Sequence, residues 1–385
     1  MGYILAFVIL MIIIYSLIWF PKNDTRVLYS LYFLMLLMAG FSYGLQDYGM
    51  YEKFYDNSLL FEFVNLFDYT EAIRSDYSRD FGYTILSLLF NYIGADFYIY
   101  RFFLYFVGLL IITYYSKKIS ENAVSVLGLY LLYPFIMDNI QIRNYMVEIV
   151  LFVGFYCYCK KTNATLKWLF FIFIGVSFHS SAIAYILFPL FDKLLDSKFK
   201  FISMFFVLVG ICMPLYAGWV QDNWMVVGML LRDSDTSFSH YAFYTEKDVI
   251  RKHLTCYTFM VIAYFVSVVL CNISREKYII KPENNILILY IEKVRIFLMY
   301  NFCFMPLYPL FSDLAIRFPR NCLLMLYVSI SLIIAKSNTL YRCMWFGIGA
   351  IMALFMGRLD LYAPVLIDTV SIFMSRNYLF EFIGV

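Results

Sequence analysis

Residues 97–118 read FYIYRFFLYFVGLLIITYYSKK, a mainly apolar run closed by two adjacent lysines. That is the length one helix needs to cross a hydrocarbon core ~30 Å thick. Basic residues collect in the inner loops of membrane proteins, so Lys117 and Lys118 orient this span, 97–115, with its C-terminal end inward. The pattern recurs along the chain, which is 63% hydrophobic and 15% charged with a mean hydropathy of +0.74. A soluble domain is only about 45–50% apolar. The fold class is therefore all-α, a polytopic integral membrane protein. The net charge of +3 is too small to argue for nucleic acid as a partner.

Working outward, comparable runs occupy 2–20, 27–45, 122–139, 144–159, 201–219, 254–272, 296–311, 322–335 and 343–357. They predict about 10–12 transmembrane helices in one domain, 1–385. The first run is followed, not preceded, by basic residues (Lys22, Arg26), which is opposite to a cleaved signal peptide and predicts a retained anchor with its N-terminus outside. Residues 46–80 are rich in Asp and Glu and poor in Lys and Arg, so they belong outside; with 81–95 they form an outer loop, 46–96. A second outer loop is 220–252, because Arg275, Lys277 and Lys281 follow the next span. The apolar but interrupted stretch 361–383 is expected along the outer interface. The eight cysteines lie in or beside apolar runs and read as small packing residues.

Two segments break the parity of crossings. Residues 81–95 are short and lie between an outer loop and a span that starts outside, so they read as a re-entrant helix. The segment 168–191 contains GVSFHSSAIA (175–184) and has lysines on both flanks. Either it is a broken hairpin with His179, Ser180 and Ser181 at its tip, or it is a single span of 24 residues with a parity error elsewhere. Non-helical backbone at membrane depth is tolerated where it lines a cavity, so both arrangements direct His179 to an interior site.

Several arginines fall near outer ends of spans: Arg143 in IQIRNYM, Arg317 and Arg320 in IRFPRN, and Arg358 in MGRLDLY. The guanidinium fork suits bidentate binding of phosphate oxygens, although interfacial arginines also snorkel or form salt bridges. The stretch LQDYGMYEKFYD (45–56) sets Asp47 beside Tyr48, Tyr51 and Tyr55. A carboxylate next to phenol rings fits a sugar, and tyrosines also form the aromatic belt of a membrane protein. His179 is a candidate general base, or else a buried imidazole satisfied by a neighbouring hydroxyl or carbonyl. His240 and His253 read as ordinary. Walker, Rossmann, zinc-protease and nucleophile-elbow motifs do not occur, which argues against soluble ATPase, dehydrogenase and hydrolase chemistry and calls for no cofactor or metal.

The order DYGMYEKFY (47–55), RDFGYTILSLLFNYIG (79–94), QIRNYMVEIVLF (141–152) and FHSSAIAYILFPL (178–190) resembles the EpsG/Wzy-type family of bacterial surface-polysaccharide polymerases. Asp80 stands where that pattern has a glutamate, which keeps the carboxylate and shortens its reach. The resemblance implies a GT-C-like membrane fold and a metal-independent, inverting glycosyltransferase of the inner membrane whose active site faces the periplasm. Such an enzyme moves a growing O-antigen or capsule glycan from undecaprenyl diphosphate to a lipid-linked repeat unit. A flippase and a chain-length regulator are expected partners. Residue by residue, it implies Arg143, Arg317, Arg320 and Arg358 on the diphosphate, Tyr48, Tyr51 and Asp80 on sugar, and His179 or Asp47 with Arg143 in catalysis. A flippase for the same lipid-linked sugars, an O-antigen ligase and a membrane O-acyltransferase are the competing readings.

Overall fold

The computed structural model describes residues 24–45, 47–60, 80–160, 163–220, 223, 250–278, 285–307, 312–360 and 376–378. The expected first span at 2–20, most of the 220–252 loop and nearly all of 361–383 lie outside the described residues. The described chain is all-helical apart from one isolated antiparallel bridge between Ser42 and Asn377. It divides into two compact units, residues 1–183 with 327–385, and residues 184–326.

The first unit contains α1 (Thr25–Phe41), α2 (Tyr48–Asp56), α3 (Phe81–Tyr92), α4 (Phe97–Ile119), α5 (Ala123–Leu132), α6 (Phe135–Ile140), α7 (Ile142–Cys159) and α8 (Ala164–Phe178). Asp24 starts α1 by accepting the Arg26 backbone N–H at 2.9 Å, a satisfied N-cap. Lys117 and Lys118 close the last turn of α4, where a helix dipole favours cations. Small residues let these helices approach closely, as in membrane bundles. A Cβ on Gly108 of α4 would lie 2.2 Å from the Tyr145 hydroxyl of α7, and one on Gly154 of α7 would lie 2.8 Å from Phe171 of α8.

The second unit contains α9 (Phe188–Leu195), α10 (Lys200–Ile211), α11 (Met213–Val220), α12 (Ile250–Tyr278), α13 (Asn285–Asn301) and α14 (Ser312–Asn321). Its core is aromatic: Phe297 packs on Phe188 at 4.8 Å and on Tyr185 at 5.4 Å. Buried Asp192 accepts from Lys293 Nζ through both oxygens at 2.6 Å. The boundary between units falls inside α15 (Leu323–Lys336), and α16 (Thr339–Asp360) belongs to the first unit. There the Tyr327 hydroxyl donates to Tyr133 O at 2.9 Å, and the Ser331 hydroxyl to Asn122 O at 2.9 Å.

Among the described residues, four helices are long and apolar enough to cross a membrane: Phe97–Ile119, Ile142–Cys159, Tyr257–Arg275 and Thr339–Arg358. The pair Lys200–Ile211 and Met213–Val220, bent by 66°, is apolar enough taken together and forms either a broken span or a re-entrant loop. Shorter apolar helices are Thr25–Phe41, Ala123–Leu132, Ala164–Phe178 and Leu323–Lys336. The protein is thus an all-α, multi-pass membrane protein.

Some predicted spans differ in detail. The one expected at 122–139 is interrupted between α5 and α6 at Tyr133–Pro134, because proline has no N–H to continue the ladder. The one expected at 296–311 is displaced toward the N-terminus: α13 ends at Asn301 and gives way to a 3-10 turn, Phe302–Leu307, that contains Pro306. At α3 the expectation of a short element is met, since 12 residues rise only ~18 Å, well short of the bilayer core. Around 168–191 the chain is not one continuous helix: α8 ends at Phe178, a 3-10 turn runs over Ser180–Tyr185, and α9 begins at Phe188.

Candidate active site

The site is built on the N-termini of α3 and α7. Asp80 is the N-cap of α3 and Arg143 is the second residue of α7, and their side chains form an ion pair at 2.5 Å. The Asp80 side chain does not cap its own helix. Its backbone carbonyl still accepts from the N–H and the hydroxyl of Thr84, at 3.0 and 3.1 Å, which anchors the first turn. A carboxylate at the positive end of α3 is favourable, whereas a guanidinium at the positive end of α7 is not. Arg143 therefore occupies an unfavourable place that an anion would relieve, and Asp80 supplies part of that relief.

The pair is partly accessible, with side-chain exposures of 19% for Arg143 and 9% for Asp80. Arg143 lies over the Tyr51 ring at 5.5 Å and the Phe54 ring at 5.8 Å, both on α2. Its Nε is buried and has no hydrogen-bond acceptor among the described residues. Such an N–H costs about 1–3 kcal/mol while unmet, so it favours an incoming acceptor oxygen.

Helix α2 has two working faces. Tyr51 and Phe54 meet Arg143, and part of the way around the helix Tyr48 covers a different cation, Arg101, at 5.0 Å. Arg101 is 1% exposed and also lies 5.7 Å from the Tyr105 ring. It donates to the Ser42 carbonyl, and to the Ser42 hydroxyl at 3.3 Å. Among the described residues no carboxylate pairs with it. Tyr55 packs on Tyr100 at 5.1 Å and donates its hydroxyl to Ala95 O at 2.5 Å. Burial pushes the Tyr55 phenol up to about 12, so it remains a donor at neutral pH. Burial first, and then its hydrogen bond with Tyr378, hold Tyr48 above the ordinary phenol range.

His179 closes α8 and its Nδ1 accepts the Ser181 N–H at 3.1 Å. The 3-10 turn beyond α8 is thereby fastened by the imidazole itself. A Cβ on Gly82 would lie 2.4 Å from the Ser177 hydroxyl, so glycine is what lets the start of α3 reach the end of α8. Asp80 and His179 are thus each two residues from one close contact. Asp47 is the N-cap residue of α2, without a capping hydrogen bond from its side chain.

The other sequence-predicted arginines are on α14 and α16. Arg317 and Arg320 sit on α14 in the second unit, and Arg320 is fully buried. Arg358 is exposed in the last turn of α16, where the helix dipole alone accounts for a cation. The structure therefore brings together Asp80, Arg143 and Tyr51, and turns Tyr48 toward Arg101. Arg101 was missed by sequence reading, as were Asp138 and Glu148, which are also buried. The signal was available: each is a lone charge within an otherwise apolar run, and such residues are expensive at membrane depth. The Tyr130 hydroxyl donates to Asp138 Oδ2 at 2.6 Å and the Tyr105 hydroxyl to Asp138 O at 3.0 Å.

A family model described as EpsG family matches residues 25–365. Neither a curated protein nor a solved structure matches the chain.

Proposed function

The chain belongs to the EpsG family, and from that membership together with the Asp80–Arg143 pair we propose that it is a polysaccharide polymerase of the bacterial inner membrane. The family supports a polymerase-type function in general. Substrate and mechanism are inferred from residue chemistry. The enzyme takes a growing glycan on undecaprenyl diphosphate and transfers it to a lipid-linked repeat unit at the periplasmic face.

The observation that carries this reading is a guanidinium, 19% exposed, at a helix N-terminus, paired with Asp80 and without an acceptor for its buried Nε–H among the described residues. In an inverting transfer, the acceptor hydroxyl oxygen attacks the anomeric carbon of the donor sugar from the side opposite the diphosphate. The bond from that carbon to the phosphate oxygen breaks, and the electron pair leaves on the diphosphate. Arg143 meets that developing charge with its remaining donors, and stabilisation of this kind is commonly the largest catalytic contribution. Asp80 keeps the fork in register. The acceptor proton passes to His179 or Asp47. Tyr48 and Tyr51 contact sugar rings; Arg317 carries the same fork for phosphate, while Arg320 is fully buried. Charge neutralisation by arginine makes a metal unnecessary for this step.

The test is a gel of the surface polysaccharide from a deletion strain complemented with wild type, Arg143→Ala or Arg143→Lys at matched expression. The expected result is collapse of the ladder to a single repeat unit on deletion, no rescue by Arg143→Ala and short chains with Arg143→Lys, which keeps the charge and loses the fork. A ladder that survives deletion rules the polymerase reading out.

A further inference from the structure

The first unit holds a cavity of about 390 Å³ beside α2, on the face that carries Glu52 and Asp56. Its far wall is the turn joining α3 to α4, which supplies Asn91, Asp96 and Tyr98, and Tyr378 closes one side. Residues 376–378 reach this place by pairing with the end of α1: Tyr43 N donates to Arg376 O at 3.1 Å, and the Tyr43 and Tyr378 rings stack at 4.5 Å. The opposite wall is equally fixed. Asn91 Nδ2 donates to Tyr55 O at 2.9 Å, tying the turn to α2.

The lining has two kinds of group. Tyr98 and Tyr378 are 36% and 39% exposed, with ring centroids 5.9 Å apart. Aromatic faces held at the mouth of a cavity cover the C–H face of a pyranose. Glu52, Asp56 and Asp96 supply acceptors for hydroxyl or ammonium hydrogens. Burial first, and then the charge of Asp56, raise the Glu52 carboxyl above its usual range, with Arg101 acting in the opposite sense. Among the described lining residues there is no Lys, Arg or His. Among the described residues, too, no three carboxylate, histidine or cysteine side chains are grouped so as to hold a metal ion. The volume falls within the ~300–1,000 Å³ typical of small-molecule sites.

We infer that this cavity binds a neutral or amine-bearing sugar ring of the glycan, and that it rejects uronic acids and phosphate-bearing sugars. Three carboxylates in a lining that has no lysine, arginine or histidine among the described residues disfavour an anion. The diphosphate belongs with Arg143 on the other face of α2, and the sugar ring belongs in the cavity. This assignment names a sugar subsite for the proposed polymerase and rests on that reading for its place in the reaction. Its binding chemistry can be tested without it.

The experiment is saturation-transfer NMR on the full-length protein in nanodiscs, with methyl glucoside, methyl N-acetylglucosaminide, glucosamine and glucuronate as probes at concentrations on the order of 10 mM, where a Kd near 1 mM still gives occupancy. Signals are expected from one or more of the first three and none from glucuronate. Tyr98→Ala and Glu52→Gln should weaken binding about tenfold, while Tyr98→Phe, which keeps the ring, should retain it. Unchanged binding in Tyr98→Ala and Glu52→Gln, equal binding of glucuronate, or silence from all four probes overturns the assignment. The polysaccharide gel from the deletion strain reads the other claim separately. Sugar binding with an intact ladder keeps the cavity and removes the polymerase, and a lost ladder without sugar binding does the reverse.

Discussion

Arg143 and Arg101 are both guanidinium groups laid against tyrosines of α2, yet they do different work. Arg143 is partly open, paired to one carboxylate, and placed at the wrong end of its helix dipole. Arg101 is closed off, 1% exposed, and donates through its two terminal nitrogens to Ser42, a residue just beyond α1. The first is arranged to receive something and the second to hold the chain together. Accessibility and the helix-terminal ion pair separate the two roles, whereas residue type and a buried Nε without an acceptor among the described residues are common to both.

The strongest way to break that comparison is Arg143→Ala. Polymerisation assayed on lipid-linked repeat units should fall by ~100–1,000-fold, the loss typical of removing one charge-stabilising donor. A residual rate within a few-fold of wild type would make Arg143 as structural as Arg101. Asp80→Asn should cost less, roughly tenfold in the same assay, because the amide still accepts a hydrogen bond and gives up only the charge. Arg101→Lys sharpens the contrast from the other side. It removes the fork from a buried backbone carbonyl, and should lower stability by about 1–3 kcal/mol, read as an earlier thermal transition of the solubilised protein. Product length per folded molecule should stay close to wild type. Arg358→Ala, at an exposed helix C-terminus, should cost only ~0.3–1 kcal/mol in the same thermal scan. A collapse of chain length in that variant would return Arg358 to the diphosphate site.

Much of this architecture is legible in the sequence. The spans at 97–115, 144–159 and 343–357 became α4, α7 and α16 because long apolar runs with basic flanks have few alternatives in a bilayer. The break at His179 is legible for the same reason, since a polar triplet stands out there. Asp80 and Arg143 each stand out, but their pairing does not. They are 63 residues apart in the chain, and nothing local encodes which carboxylate an arginine will meet. Helix α2 is hidden in an acidic stretch that reads as loop. Its spacing of tyrosines at 48, 51 and 55 is helical, but in a chain with 36 tyrosines such spacing also arises from an aromatic belt. The interruption between α5 and α6 is carried by a single residue, Pro134, inside an otherwise continuous apolar run.

One consequence follows from the nine residues of α2. Each residue of an α-helix turns the next by about 100°, and the two working faces of α2 are separated by roughly that angle. Inserting one residue between Tyr51 and Glu52 would leave Tyr48 over Arg101 and swing Glu52, Tyr55 and Asp56 away from the cavity. Its cavity-facing positions, Glu52 and Asp56, can therefore drift in side-chain chemistry, as when one sugar is exchanged for another, but the segment cannot change in length. Among variants that make different polysaccharides, α2 should accumulate substitutions while keeping its residue count fixed.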